Sequence, residues 1–404
     1  MDKFDKRFVD IISERSKFDG GLVSILSQEE NTTALVRVRN PLHLGLLERN
    51  FHVTAEYPFI RSVGIECSLR DAIRLERMQE VEYVSAQGKV FALGDEYKDN
   101  ISTDVNLTSD ESKSVLNSSS SDRANTNIAS RRGRHIDDSL TLEYATDLDG
   151  RGVTMCVMDT GVSLHSDLSI PKERIVHFVD MIGGESQPYD DNGHGTFVAG
   201  VACGNGTLSG GRIIGVAPCA NVVGLKVIGE SGESGTFKIL DGMQWLFDNF
   251  RQYGIRVVCM SFGAEPQSYA DPLKLGAEML ARSGLIVVAA SGNSGENSLK
   301  SPAISSEVIA VGAVDSDDKV ARFTSRGTYQ GVERPDVFAD GVDVKGLSAG
   351  GTYSTMSGTS ASAPYVAGAC CLLCQKYRNL TPRQAKMAIL NSTSVVDGNH
   401  IFRL

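Results

Sequence analysis

The chain has 404 residues, 41% of them hydrophobic and 22% charged, which excludes a fibrous or wholly disordered protein and leaves room for two or three folded units. Fifty acidic against forty basic residues give a net charge of -10, which argues against nucleic acid as a partner. No stretch approaches the roughly 20 apolar residues that span a bilayer, so no membrane partner is expected.

The first residues, MDKFDKRFVDIISERSKFDG, carry charges throughout and lack the apolar centre of a secretory signal. Residues 1–93 mix strand-like pieces (ALVRVRN, SVGIEC, VEYV, KVFAL) with LRDAIRLERMQ, whose apolar residues recur at helical spacing. A small α+β domain is expected there. Residues 94–138 are rich in Ser, Asn and Asp and almost empty of large apolar side chains, so they cannot repay the entropy of ordering and read as a flexible linker. Within it, Arg131-Arg132 offers a dibasic trimming site or simply a solvated basic pair.

Residues 139–404 alternate continuous apolar runs (VTMCVM, NVVGLKVI, IRVVCMS, LIVVAAS, VIAVGAV) with helical patterns (TFVAGVACG, FKILDGMQWLFDNFRQYG, DPLKLGAEMLARSG). Runs without polar alternation suit parallel strands buried on both faces, so this part reads as an α/β fold with a doubly wound, mostly parallel sheet flanked by helices. In such sheets sites gather at the carboxyl ends of strands.

Asp159 ends one such run, before Gly161, where it either closes a turn or presents a carboxylate. The next stretch, Asp190-Asp191-Asn192, is acidic enough to suggest calcium but reads as a solvated turn. His194 follows between two glycines, which leave room for another backbone to approach. Asn293 ends the run LIVVAAS and sits in a turn-forming SGNSG, where its amide could also donate to an oxyanion. Ser360, in SGTSASAP, would open a helix whose N–H groups and dipole favour a developing negative charge, with Pro364 in the first turn. A serine hydroxyl needs a base, and the base needs a carboxylate to orient it. Asp159, His194 and Ser360 supply those roles in one of the chain orders known for convergent triads.

Eight cysteines lie mostly inside apolar runs, where a thiol acts as a small hydrophobe, and none forms a spaced metal-ligand array. Reduced thiols and the charged first residues lead to a cytoplasmic expectation.

The stretches VMDTGVSLHSDL, NGHGTFVAG, AASGNSG and SGTSASAPYVAG, in that order, together resemble the motifs of the subtilisin-like serine proteases, and GVAPCANVVGLKVI and FTSRG agree. The likeness is to the intracellular bacterial branch and covers about residues 140 to 404. It implies Asp159, His194 and Ser360 as catalytic triad and Asn293 as oxyanion donor of an endopeptidase needing no cofactor for its chemistry, with structural calcium as a known accompaniment. It implies an extended peptide bound between Gly232 to Gly235 and Ser261-Phe262-Gly263, with Ala289, Ala290, Ser291 and Gly292 around a side-chain pocket. Residues 1–93 resemble the ferredoxin-like inhibitory propeptide of these enzymes, which implies an intramolecular inhibitor and a precursor cut between Leu93 and Gly94. Thr328, Asp340 and Ser362 depart from the family pattern without removing a catalytic group.

Overall fold

The computed structural model describes residues 31–94, 140–142, 147–267 and 270–404. The span read as a linker, with Arg131-Arg132, lies outside the described residues except for Gly94.

The first unit runs strand Asn31–Val38, helix Leu44–Asn50, strands Val53–Tyr57 and Ser62–Ser68, helix Leu69–Arg77, strand Val81–Ala86. Its four strands form an antiparallel sheet in which Asn31–Val38 lies between Ser62–Ser68 and Val81–Ala86, the ferredoxin-like order. Ser68 starts the second helix with a reciprocal capping box with Asp71. Apolar residues such as Val36, Ile65, Leu75 and Val84 close its core.

The second unit is a nine-stranded sheet. Strand Thr154–Asp159 sits near its middle, flanked by Asn221–Lys226 and Ile255–Met260. Beyond these follow Ile175–Asp180 on one side, and Ile286–Ala290, Ile309–Val314, Val337–Asp340 and Asn399–Phe402 on the other, all parallel. Thr393–Val396 adds an antiparallel edge. Side chains alternate across the sheet: Met155 and Val157 pack with helices His194–Cys203, Thr359–Lys376 and Pro382–Asn391, whereas Cys156 and Met158 pack with helices Thr236–Asn249 and Pro272–Arg282. With both faces covered, a hydroxyl or thiol is tolerated in the strands but an unpaired charge is not.

The first unit docks on the second pair of helices. Tyr57, Phe59 and Ile60 join their core, Tyr57 Oη donates to Asp241 Oδ1 at 2.9 Å, and the rings of Phe59 and Phe247 lie 5.7 Å apart. This docking carries the end of the unit, strand Lys89–Ala92, over the carboxyl edge of the large sheet.

Candidate active site

Asp159 is the last residue of its strand and His194 the first of its helix. Their approach depends on glycine: a Cβ at Gly195 would lie 2.1 Å from the Gly161 carbonyl oxygen. His194 Nδ1 stands 2.7 Å from Asp159 Oδ1, both side chains buried, and the Thr160 N–H donates to the same oxygen at 2.7 Å. A carboxylate at Nδ1 places the neutral ring's proton there and leaves Nε2 as a lone pair. That Nε2 is buried and has no hydrogen-bond partner. Burial opposes a charge on the ring, but the Asp159 carboxylate and its hydrogen bond, with Asp190 behind, outweigh it and hold His194 above the ordinary imidazole value.

Asp190 is buried, contrary to the solvated turn expected from its sequence neighbours. Its Oδ1 accepts from Thr160 Oγ1 at 2.9 Å and Gly193 N at 2.8 Å, and its Oδ2 from Thr196 N and Oγ1 at 2.8 and 2.7 Å. Asp191 pairs with the buried Lys226 Nζ at 2.6 Å. These carboxylates are engaged in holding the loop before His194, so the stretch does not fit a calcium ion. Among the described residues no cluster of three His, Cys, Asp or Glu side chains is placed to hold a metal.

Ser360 is the second residue of helix Thr359–Lys376, after Gly358 at φ 155°. The sequence placed Pro364 in a first turn, but the helix begins at Thr359 and Pro364 falls inside it. Lacking an N–H, Pro364 leaves the Ser360 carbonyl without its helical partner. The Ser261 hydroxyl takes that place, donating to Ser360 O at 3.2 Å.

Asn293 is oriented by a residue that the sequence did not single out. Thr359 donates to Asn293 Oδ1 from both its backbone N–H and its hydroxyl, each at 2.9 Å, which turns Nδ2 outward. Thr359 Oγ1 also accepts from Gly292 N at 3.2 Å. A threonine beside a candidate nucleophile was the available signal, but its partner lies far away in the chain.

The outward-facing groups meet one carbonyl. Asn293 Nδ2 donates to Leu93 O at 2.7 Å, and the Ser360 hydroxyl donates to the same oxygen. A Cβ at the next residue, Gly94, would lie 3.1 Å from His194 Cδ2, so the Leu93–Gly94 peptide bond runs between the serine and the imidazole. Ser360 and His194 are not bonded in this arrangement, since the hydroxyl points to Leu93 O.

The chain leading to Leu93 is held on both sides. Strand Lys89–Ala92 pairs antiparallel with Phe262–Gly263 and with Glu233–Gly235, Ala92 N donates to Gly232 O at 3.0 Å, and Leu93 N donates to Ser261 O at 3.0 Å. Gly232, Gly235, Ser261, Phe262 and Gly263 therefore flank this strand. Leu93 is buried in the same core cluster as Ala290, whereas Ala289 packs in the opposite core and stands apart from it. Ser291 and Gly292 follow Ala290 beside the turn of Asn293, with Ser291 N bonded to Val311 O at 2.9 Å.

The chain is similar to known proteins over the span of the large sheet. Residues 150–403 match the model of the subtilase family. Serine protease AprX of Bacillus subtilis (strain 168) is 38% identical over 277 residues, covering 61% of this chain and 62% of AprX, so the match spans less than two thirds of that relative. Subtilisin Savinase of Lederbergia lenta is 35% identical over 256 residues, covering 63% of this chain and 88% of Savinase. The crystal structure of a cold adapted subtilisin-like serine proteinase superposes with a TM-score of 0.54 at 32% identity, covering 64% of this chain and 91% of that one. With the family's four motifs brought to one edge of a parallel sheet, and the family model spanning that whole sheet, the chain belongs to the subtilase family.

Proposed function

We propose that the chain is a serine endopeptidase and that the Leu93–Gly94 bond is its first substrate. The observation that carries this reading is the Leu93 carbonyl oxygen, which receives both Asn293 Nδ2 and the Ser360 hydroxyl at the end of a strand paired on both sides.

In this mechanism Ser360 Oγ turns from the carbonyl oxygen toward His194 Nε2, gives up its proton there and bonds the carbonyl carbon. The oxygen gains the negative charge, which Asn293 Nδ2–H and the backbone N–H of Ser360 stabilise. His194 then returns the proton to the Gly94 nitrogen as the peptide bond breaks, leaving Leu93 esterified to Ser360. Water, deprotonated by His194, attacks that ester and frees Ser360. Asp159 keeps the Nδ1 proton in place and favours the imidazolium that forms in between. Each step uses the chain's own side chains and water.

Residues 31–93 would remain docked after the cut as an intramolecular inhibitor, supported by the Tyr57 and Phe59 contacts, and the chain would thus be made as a zymogen. Three units follow: 1–93 as inhibitor, 94–138 as connector, 139–404 as the peptidase. All eight cysteines are free, seven of them buried, which supports a reducing compartment such as the cytoplasm. No described helix is long and apolar enough to cross a membrane.

Intact mass of the full chain tests the reading. Wild type is expected to separate into fragments meeting at Leu93 and Gly94, and Ser360→Ala to stay whole; equal fragmentation of both would remove Ser360 from the mechanism.

A further inference from the structure

The groove that holds Leu93 contains a charged side chain that the reaction does not use. The Lys300 N–H donates to Ser291 O at 3.0 Å, and Ser301 exchanges backbone hydrogen bonds with Ala264 at 2.9 and 3.0 Å. Lys300 is thereby strapped between the two segments that border the groove. Its stem passes between two glycines. A Cβ at Gly263 would lie 2.7 Å from Lys300 Cβ and 3.1 Å from Leu93 Cδ1, and one at Gly292 would lie 2.6 Å from Lys300 Cγ. The ammonium forms an ion pair with Glu265, and the two partners are very unequal: the Lys300 side chain is 11% exposed and that of Glu265 80%. Leu93, Gly263, Glu265, Ser294 and Lys300 border one cavity of about 540 Å³.

We propose that Lys300 determines which side chain is accepted immediately before the bond that is cut, admitting leucine-sized apolar and acidic side chains and refusing basic ones. The inference rests on the peptidase reading above. A lysine side chain so nearly buried keeps an anionic partner, because stripping it leaves an uncompensated charge. Glu265 is held only as an exposed partner, and such pairs contribute little. An incoming glutamate or aspartate can therefore take its place, one carboxylate exchanged for another, while Glu265 turns to water. Asp271, the other carboxylate of the cavity, is buried and already accepts from Ser301 Oγ, Lys274 N and Gln267 N, so an incoming lysine or arginine sets a second cation beside Lys300 with Glu265 alone left to be shared. The methylene stem, meanwhile, presents an apolar wall to a side chain such as Leu93.

The test uses the full chain and peptides identical except for Leu, Glu or Lys immediately before the cut. The readout is the Glu-to-Lys ratio of kcat/KM, which a general loss of activity leaves unmoved. Wild type is expected to favour Glu over Lys at least tenfold, roughly what one close charge pair contributes. Lys300→Met, which keeps an unbranched stem, should collapse that ratio about tenfold. Glu265→Gln, at an exposed position, should raise the Glu-to-Leu ratio about threefold by removing the competing carboxylate. A wild-type ratio near one, or ratios unmoved in both variants while the Leu peptide is still cut, overturns the role of Lys300 alone. If no peptide is cut by wild type beyond the level of Ser360→Ala, the peptidase reading falls and this inference with it.

Discussion

At the scale of single residues, the Asp159–His194 contact decides the pH dependence. Only the neutral imidazole can take the serine proton, and His194 holds its own above the ordinary value of 6.5. Activity is therefore expected to rise with pH through a midpoint above 6.5, read as the acid limb of kcat/KM. In Asp159→Asn the opposing influence, burial, is left in charge. The limb should move to lower pH while the rate falls by orders of magnitude. The sign for stability is opposite to that for activity: a raised imidazole pKa adds stability fully present below about 6.5 and lost as pH climbs through the folded value. In the proposed mechanism Asn293 acts through its amide and Thr359 through the amide's orientation. Asn293→Ala should lower kcat by about 10²–10³, a magnitude taken over from an asparagine of subtilisin itself. Thr359→Val retains the backbone donor but deletes the hydroxyl, and a loss of about tenfold in kcat with little change in KM is expected.

At the scale of elements, the interior proline of helix Thr359–Lys376 makes a prediction of its own. Ser261→Ala should leave the Ser360 carbonyl buried without a donor, costing about 1–3 kcal/mol. Pro364→Ala restores a helical N–H to that carbonyl, so the double variant should regain most of the loss. Urea midpoints in a Ser360→Ala background, where self-digestion does not blur the transition, would show whether the two changes compensate or add. The strands that were legible in the sequence are those with apolar side chains toward both helical layers, such as Thr154–Asp159 and Ile309–Val314, buried at every position. Ile175–Asp180 was missed because, as an edge strand, it leaves Val176 exposed and His177 half-buried, and no continuous run results. The hairpin Thr393–Phe402 was missed for the same reason, with Val395 63% exposed. Ser261 and Thr359 were invisible as structural donors because a hydroxyl reads as a turn residue until its distant partner is known. Asp190 looked solvated because most of its hydrogen-bond partners, Thr160, Gly193 and Thr196, lie outside the acidic stretch itself.

At the scale of the whole molecule, the first unit reaches the site by resting on helices Thr236–Asn249 and Pro272–Arg282, into whose core it inserts Tyr57 and Phe59, 1% and 5% exposed. Phe59→Ala should weaken that docking by about 2–4 kcal/mol. In a full-chain preparation this would shorten the lag before peptide hydrolysis appears, and an unchanged lag would mean that docking does not control release. The likeness of four short motifs singled out the candidate site residues from sequence alone; the docking could not be foreseen, because Tyr57 and Phe59 are ordinary apolar residues until Asp241 and Phe247 are found beneath them. The pairing of Lys89–Leu93 has a wider consequence. Apart from an exposed Lys89–Glu233 ion pair, its bonds on either flank are made by main-chain groups, at Gly232, Ser261 and the two short strands, so what is recognised there is a stretched backbone more than a particular word of sequence. A helix or an inner strand has already committed those groups elsewhere. For the proposed peptidase, natively folded targets should therefore resist until heat or denaturant loosens a segment long enough to lie flat.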